Sequence, residues 1–342
     1  MDRRLILAVA GAGKTTYLVN KMNLTERFLV ITYTNNNLSN LRNRIIKKFG
    51  YWPSNIFLLS YFDFLYNICL LPFAKDELGL SGMCLDAPPE HTRNLPRNNR
   101  DFFLTKDGRI YSNRIAILCQ KCLCKEIKER LEKYFDFFFF DEVQDLAGYD
   151  FDFVQSILPD NINILMVGDF FQHTYNTSRD GNKNGSLYDD ISKYIKKWNN
   201  LLTIDTVTLS KSHRCPPIIC DFVQQRLNIP IESHREITDV HFSYISTIED
   251  AEIILSDKNI IKLFFQSSNK YNLYAMNWGE SKGLDDFNDV CVILNKTTDE
   301  HYKKNELSSL NALTRNKLYV ACTRAKRNLY FIPETLLENY KI

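Results

Sequence analysis

Hydrophobic residues in this chain fall into short continuous runs that are separated by stretches of helical periodicity. Such runs are typical of strands that are buried on both faces of a sheet. They occur at residues 5–10, 28–32, 55–60, 135–140, 162–167, 206–209, 290–294 and 328–332. Residues 38–49 have the spacing of a basic amphipathic helix. Because strands alternate with helices, the sequence predicts parallel α/β layers.

The composition is that of an ordinary globular protein. The 342 residues predict about two domains, with a boundary near residue 205. A stretch at 72–107, rich in Pro, Asn and Arg, predicts an insertion or mobile loop. The 43 basic and 41 acidic residues give a net charge of +2, so a histone-like or polybasic membrane protein is excluded and any nucleic-acid surface must be local.

The compartment and the absence of a membrane span are also predicted from composition. Nine cysteines, an odd number scattered among apolar segments, predict reduced thiols and a reducing, cytoplasmic compartment. The first apolar run is too short for a signal peptide. Since 18 or more apolar residues never run together, we expect no membrane span.

Residues 10–16, which read AGAGKTT, follow the first predicted strand and begin a helix. This context predicts a phosphate-binding loop, in which backbone N–H groups curl around an anion at a helix N-terminus. A tight strand-to-helix turn without a ligand is the alternative, and the formal template has Gly where this chain has Ala8. The expected nucleotide-binding residues are Gly11, Ala12, Gly13, Lys14, Thr15 and Thr16, with Lys14 at the terminal phosphates and the Thr15 hydroxyl at Mg²⁺.

Two carboxylates follow the apolar run at 135–140. Open parallel sheets bind ligands at the carboxyl ends of their strands, so Asp141 is expected to hold Mg²⁺ through water. Glu142 is the candidate general base that aims the attacking water. Taken alone, such a pair is more often a strand end that meets solvent. Its combination with the phosphate loop favours the catalytic interpretation.

Four further motifs occur in an order that resembles UvrD/Rep-type superfamily 1 helicases. Residues 141–145 (DEVQD) are similar to that family's DExQD, and 167–172 (VGDFFQ) to its VGDxxQ. Residues 213–216 (HRCP) and 320–325 (VACTRA) resemble its two arginine motifs. The resemblance implies that Gln172 senses the γ-phosphate and that Arg214 and Arg324, from the second domain, face the triphosphate.

Three weaker matches concern the nucleic acid and the nucleotide. Residues 281–287 (SKGLDDF) resemble the family's SKGLEF, which implies that Gly283 and Asp285 lie near the nucleotide. The segments TYTN and SYFDF resemble strand-binding motifs, although core packing explains isolated aromatic residues about as well. The implied nucleic-acid contacts are Thr32, Tyr33, Asn35, Ser60, Tyr61 and Phe64, together with Tyr175 and Trp278, which lie near positions where the family has stacking residues.

The chain also departs from the family. No adenine-reading segment precedes the loop, and Thr16 and His213 replace the arginine and tyrosine that sandwich the base, so we expect ATP with tolerance of other triphosphates and a purine stacked on His213. The second-half insertion is shortened. The first-half insertion, about 67–133, contains Cys119, Cys122 and Cys124, which are more typical of core thiols than of a metal site.

These observations predict two RecA-like P-loop NTPase domains with parallel sheets, at 1–205 and 206–342, with ATP and Mg²⁺ in the cleft between them. By resemblance, the chain is a translocase or helicase that moves on single-stranded DNA toward the 3′ end. The alternative is an ATP-hydrolysing switch that regulates a partner nuclease or other effector, as in antiphage defence, without processive unwinding. A P-loop kinase lacks support because the paired arginines have no role there.

Overall fold

Backbone contacts in the computed structural model, which describes residues 1–174, 183–284 and 286–342, group the chain into two units. The first unit comprises residues 1–6, 15–168 and the described part of 175–205. The second comprises residues 7–14, 169–174 and the described part of 206–342. Residues 10–14 of the phosphate loop and residues 169–172 at the end of the VGDxxQ-like motif therefore group with the carboxyl-terminal half.

The first unit is built on a six-stranded sheet in the order β3-β2-β6-β7-β1-β8. Its registered pairs β2–β3, β2–β6, β6–β7 and β1–β8 are parallel. The strands are β1 (Arg3–Leu7), β2 (Phe28–Thr32), β3 (Ile56–Ser60), β6 (Phe137–Asp141), β7 (Asn163–Gly168) and β8 (Thr203–Asp205). Because Thr32 pairs with Ser60, and Asp141 with Val167, the polar ends of these strands meet at one edge of the sheet.

Helices of the first unit follow the local signals in the sequence. The helix α2 starts after Thr34, whose Oγ1 accepts the N–H of Asn37, and it ends at Gly50 in the left-handed region (φ 82°). The unit's helices outside the insertion are α1 (Lys14–Lys21), α2 (Asn35–Phe49), α3 (Tyr61–Asp63), α8 (Gly148–Ser156) and α9 (Ile191–Trp198). Short 3₁₀ turns lie at Val143–Asp145 and Leu187–Asp189.

The first-half insertion forms a small structured element. Its parts are a π-helical turn (Phe64–Leu70), α4 (Leu71–Leu78), β4 (Gly82–Cys84), a 3₁₀ turn (Glu90–Asn94), α5 (Arg100–Phe103), β5 (Arg109–Tyr111), α6 (Ser112–Cys122) and α7 (Cys124–Tyr134). Strands β4 and β5 pair in parallel. Of the two alternatives predicted for 72–107, the structure shows an insertion with helices and strands, and buried Phe102 and Phe103 anchor part of it.

Cysteines of the insertion match the interpretation as thiols better than a metal site. Cys119 is buried, and its thiol lies 3.9 Å from the carbonyl of Cys69, whereas Cys122 is exposed. Burial raises the pKa of the Cys119 thiol well above its usual range. All nine cysteines of the chain are free thiols.

The second unit contains a five-stranded parallel sheet in the order β11-β15-β14-β12-β13. Two further strands, β9 and β10, form a separate parallel sheet in the same unit. The strands are β9 (Lys211–Ser212), β10 (Glu232–Ser233), β11 (Phe242–Tyr244), β12 (Ile261–Phe264), β13 (Ala275–Asn277), β14 (Val290–Leu294) and β15 (Leu329–Pro333). The helices are α10 (Pro217–Leu227), α11 (Ile248–Ser256), α12 (Lys296–Lys303) and α13 (Ala312–Cys322).

The two parallel sheets confirm the predicted α/β class. One predicted strand is wrong. Residues 206–209 form no strand, because the strand that pairs with β1 ends at Asp205 and Val207 is 78% exposed. In the described part of the chain, no helix is long and apolar enough to cross a membrane.

Candidate nucleotide and strand sites

In the first unit, the two predicted Mg²⁺ ligands lie together. The Thr15 hydroxyl at the start of α1 donates to Oδ2 of Asp141, at the end of β6, over 3.1 Å. Asp141 is 1% exposed. Hydroxyl and carboxylate oxygens are the ligands that Mg²⁺ prefers, and it commonly binds through one or two protein groups plus phosphates and water. The pair therefore fits the predicted metal.

Glu142, the predicted general base, has a left-handed backbone with φ 58°. A non-glycine residue in this region is costly and typical of functional sites. Its N–H lies 3.1 Å from Oδ1 of Asp141, and its carboxylate accepts a hydrogen bond from Nε2 of Gln144. The Glu142 carboxylate is thus held by Gln144, directly after the end of β6.

Gln144 is a functional candidate that the sequence reasoning missed, although it is the glutamine of the DEVQD motif. It is 1% exposed, and β7 packs tightly against it. A Cβ at Gly168 would lie 2.5 Å from the side-chain oxygen of Gln144 and 2.7 Å from Cγ1 of Val143. Only glycine lets the end of β7 approach the turn that carries Glu142.

Thr16, a predicted nucleotide-binding residue, is exposed and contacts a cation from α2. Its hydroxyl accepts from Nη1 of Arg44 over 2.8 Å, and Nε of Arg44 donates to the amide oxygen of Asn40 over 2.7 Å. Sequence reasoning placed Arg44 only on a basic helix face. The four-residue spacing of Asn40 and Arg44 was the available signal.

The predicted strand-binding residues divide by burial. Thr32 is fully buried, and Ser60 caps α3, where it accepts the N–H of Asp63 and donates to its carboxylate. Tyr33 is half-buried and stacks on Tyr61, with ring centroids 5.5 Å apart, while Asn35 is exposed.

Tyr61 and Phe64 are corrected as strand contacts, because both side chains are fully buried. The Tyr61 hydroxyl donates to Oδ1 of Asp150 over 3.1 Å, and the Phe64 ring packs against Phe138 in the sheet. These aromatic residues therefore build the core beneath Tyr33 and do not present their rings to a base.

In the second unit, the phosphate loop has the conformation that its glycines allow. Gly11 and Gly13 have φ of 71° and 84°, and the Ala12 N–H lies 3.3 Å from the carbonyl of Val9. Lys14 is buried. The His213 N–H donates to the carbonyl of Gly11 over 3.0 Å. This contact holds the first arginine motif against the loop.

Arg214 and Arg324 are brought together in the second unit. Nη1 of Arg214 donates to the carbonyl of Thr323 over 3.1 Å, next to Arg324. Nη1 of Arg324, which is 1% exposed, donates to the carbonyl of Leu284 over 3.1 Å. Gly283, with φ 81°, forms the bend in that segment. Asp285 lies outside the described residues.

Gln172 lies in a buried hydrogen-bonded group with two residues that sequence reasoning did not single out. Its Nε2 donates to Oδ2 of Asp169 over 2.8 Å. The same oxygen accepts from the Tyr319 hydroxyl over 2.9 Å, and that hydroxyl accepts the Ala10 N–H over 2.8 Å. Tyr319 precedes the second arginine motif, which was the available signal.

His213 is exposed, and its ring stacks on His234 with centroids 4.1 Å apart and an interplanar angle of 8°. Desolvation, His213 and Lys211 together lower the pKa of His234. One face of the His213 ring is therefore covered by His234, and the predicted stacking on a purine would use the opposite face.

Trp278 is corrected as a stacking residue. Its side chain is fully buried, and the indole N–H donates to the carbonyl of Leu263 over 2.8 Å. It belongs to the core of the second unit. Tyr175 lies outside the described residues.

The family follows from comparison with known proteins. The family model described as the viral superfamily 1 RNA helicase core domain matches residues 92–333, which is more than half of the chain. The chain belongs to the viral superfamily 1 RNA helicase core family. Its members are NTP-hydrolysing enzymes, so the prediction of such an enzyme is confirmed, and superfamily 1 is confirmed for the resemblance seen in the motifs.

Solved structures similar to this helicase core include arterivirus nonstructural protein 10, a helicase, with a TM-score of 0.51 and 12% identity over 98% of this chain and 62% of that chain. The complex of that arterivirus helicase with DNA gives a TM-score of 0.52 and 12% identity over 98% and 63% of the two chains. The chain thus spans less than two thirds of these proteins, and the likeness shows the RecA-like fold alone. No curated protein sequence matches it.

Proposed function

We propose that the chain hydrolyses ATP with Mg²⁺ and uses the energy to translocate on single-stranded nucleic acid. The motifs in the sequence favour single-stranded DNA as that strand. The observation that carries the proposal is the group formed by Thr15, Asp141 and Glu142 at the end of β6. It supplies two oxygen ligands for Mg²⁺ and, beside them, a carboxylate in a constrained backbone conformation. This is the arrangement that an aimed water requires.

The division of labour among residues follows from their positions. Lys14 and the backbone of Gly11, Ala12 and Gly13 bind the phosphates. Thr15 and Asp141 would hold Mg²⁺, and the bound ion would neutralise charge on the phosphate oxygens. Glu142 accepts the proton of the attacking water, and Gln144 keeps its carboxylate in place.

The two arginines complete the proposal. Charge develops on the γ-phosphoryl oxygens in the transition state, and an inserted guanidinium contributes about 10³–10⁵ in rate in related enzymes. Arg214 lies against the phosphate loop, since a Cβ on Gly11 would lie 2.6 Å from Cβ of Arg214. We propose that Arg214 is the arginine that reaches the triphosphate and that Arg324, held by backbone carbonyls, positions the 281–284 segment.

The finer family assignment is also a proposal. The DEVQD, VGDFFQ and VACTRA segments support a UvrD-like motor that moves toward the 3′ end. The arterivirus helicase complex with DNA supports a nucleic-acid strand as the track, and the RNA helicase core description of the family supports RNA as an additional track. Nine free thiols support action in the cytoplasm.

A second candidate function is an ATP-hydrolysing switch that regulates a nuclease or other effector, as in antiphage defence. The burial of Tyr61, Phe64 and Trp278 favours it, because three of the predicted base-stacking rings are committed to the core. A chain that binds single-stranded nucleic acid through fewer aromatic residues is less suited to processive unwinding.

One experiment separates the two functions. Steady-state ATP hydrolysis is measured with and without single-stranded DNA, and Glu142→Gln serves as the inactive control. We expect hydrolysis that rises at least tenfold with the strand and falls by about 10² or more in Glu142→Gln, the range of general-base catalysis.

The outcomes are distinct. Hydrolysis that ignores the strand, or that begins only when a partner protein is added, favours the switch. Normal turnover in Glu142→Gln contradicts the assignment of the base, and a chain with no hydrolysis under any of these conditions contradicts the proposed function.

A further inference from the structure

We propose that Tyr319 is a positioning residue for the nucleotide step, because its single hydroxyl joins the phosphate loop to the carboxylate that holds Gln172. This inference rests on the proposed function, since it assigns what Tyr319 does for that site. The hydroxyl accepts the N–H of Ala10 over 2.8 Å and donates to Oδ2 of Asp169 over 2.9 Å. One hydroxyl offers one donor and two acceptor positions, so both bonds form at once.

The protonated phenol is the form that makes these two bonds. Tyr319 is fully buried, and burial together with the carboxylate of Asp169 raises the pKa of its phenol well above the usual value. The proton therefore stays on the hydroxyl throughout the working pH range and points at Asp169. The backbone N–H of Ala10 then donates to a lone pair of the same hydroxyl oxygen.

Asp169 passes the constraint on to Gln172. Its Oδ2 accepts both the Tyr319 hydroxyl and Nε2 of Gln172, and its Oδ1 accepts the N–H of Phe171 over 3.1 Å. Ala10, Tyr319, Asp169 and Gln172 thus form one hydrogen-bonded chain inside the second unit. Asp169 is 1% and Gln172 4% exposed, so bulk solvent does not reach the group, and hydrogen bonds in such surroundings are electrostatically stronger than in water.

The position of Tyr319 on α13 explains why this series of hydrogen bonds matters for catalysis. Arg324 follows the same helix, and its Nε donates to the carbonyl of Val320 over 3.1 Å. Asn316, three residues before Tyr319, donates to the carbonyl of His173 over 3.2 Å. One face of α13 therefore sets the place of the loop, of the VGDFFQ turn and of the second arginine motif. Loss of the hydroxyl would let the Gln172 amide and the loop move independently.

The competing interpretation is a core tyrosine whose hydroxyl merely finds partners. The two interpretations differ in what Tyr319→Phe does. A structural role costs stability, since it leaves the buried Ala10 N–H without its acceptor. A positioning role lowers kcat and does so through Gln172. The ring itself keeps its edge contact with Phe171, 6.2 Å between centroids, in both cases.

The test uses the full chain with Tyr319→Phe, and Tyr271→Phe as the matched control. Tyr271 lies in the same unit, is 6% exposed and donates its hydroxyl to Glu334 over 2.7 Å, so it loses an equivalent bond away from the loop. We expect kcat for ATP to fall about tenfold in Tyr319→Phe with KM changed less than twofold, and to stay within twofold of wild type in Tyr271→Phe.

A double-mutant cycle with Gln172→Ala decides whether the effect passes through Gln172. We expect Tyr319→Phe to lower kcat little further in the Gln172→Ala background, because residues that act as one unit are not additive. Unchanged kcat in Tyr319→Phe overturns the proposal, and so do fully multiplicative losses in the cycle.

A second measurement keeps the test independent of turnover. Amide hydrogen exchange across residues 8–13 of the nucleotide-free chain should quicken in Tyr319→Phe and remain as in wild type in Tyr271→Phe. If the wild-type chain hydrolyses no ATP, the proposed function fails, and this measurement still tests whether the Tyr319 hydroxyl holds the loop. Equal exchange in all three proteins then overturns the positioning role.

Discussion

Asp150 is a carboxyl group buried in the first unit, where the hydroxyl of Tyr61 is its hydrogen-bond partner. Desolvation raises its pKa from the ordinary 3.8 to about 7, and the Tyr61 bond opposes this only in part. A raised pKa in the folded state means that the protonated form is favoured on folding. The resulting stability is fully present below about pH 4 and is lost as the pH rises through about 7.

We therefore predict that Asp150→Asn flattens the dependence of stability on pH. Relative to Asp150→Asn, the wild-type Tm should fall between pH 5 and pH 8 by at least about 2–4 °C, the shift that 1 kcal/mol produces in a domain of this size. Thermal unfolding followed by circular dichroism measures it. Asp152→Asn is the control, because Asp152 is paired with Lys183 at 3.0 Å. Parallel pH trends in wild type and Asp150→Asn would contradict the prediction.

At the scale of elements, the loop from β1 to α1 shows how two glycines with similar backbones differ in their surroundings. Gly11 and Gly13 both have positive φ, 71° and 84°. A Cβ on Gly11 would lie 2.6 Å from Cβ of Arg214 and 2.7 Å from Oγ of Ser212. A Cβ on Gly13 would have no atom of the described chain within 4 Å. The first position is thus restricted by contact as well as by conformation.

This difference predicts unequal effects of two alanine substitutions. Gly13→Ala should cost about 1–2 kcal/mol of stability, the penalty of the left-handed backbone alone. Gly11→Ala should cost more, because the segment with Arg214 must also move. Chemical denaturation of the nucleotide-free chain compares them, and without ligand the loss of phosphate contacts does not contribute. An equal loss in both variants would show that the Arg214 contact is not restrictive.

The elements also show what the sequence can predict. The apolar runs at 28–32 and 290–294 match β2 and β14 residue for residue, and every residue of both strands is buried, as in central strands of a parallel sheet. The prediction of a strand at 206–209 was wrong. Whether a short apolar stretch pairs depends on the neighbouring strand, and β1 pairs with Thr203–Asp205.

The parts of the candidate site that lie close together in sequence could be predicted. The loop glycines, Thr15, Asp141 and the DEVQD turn follow from positions close together in sequence. The burial of Trp278 against Leu263 and the contact of Tyr319 with Ala10 join residues that are 15 and 309 positions apart. Such contacts are fixed by tertiary packing and leave no local pattern.

For the whole molecule, the balance of charge limits how a strand can bind. With 43 basic and 41 acidic residues, the net charge of +2 gives little long-range attraction to a polyanion. Binding must then come from local contacts. Among the predicted strand residues that the structure describes, Tyr33 and Ser60 are half-buried and Asn35 is exposed, at the ends of β2 and β3. The Tyr61 ring beneath Tyr33 holds it in place, 5.5 Å between centroids.

A stacking contact of this kind accepts any base and does not touch the sugar, whereas discrimination between DNA and RNA requires a group that reads the 2′-hydroxyl. We therefore predict that oligo(dT) and oligo(U) of equal length stimulate ATP hydrolysis to within about fivefold of each other. Tyr33→Ala should weaken both strands by a similar factor, since one stacked base contributes about 1–3 kcal/mol.

Tyr51→Ala is the control, because that ring is 56% exposed in the same unit and belongs to no predicted contact. Half-maximal strand concentrations, measured at fixed salt, give the comparison. Stimulation by RNA alone, or a Tyr33→Ala defect confined to one of the two strands, would mean that a sugar-reading group outside Tyr33 and Asn35 governs the track. Parallel defects would place the strand across the end of β2, beside the Thr15–Asp141 edge of the same sheet.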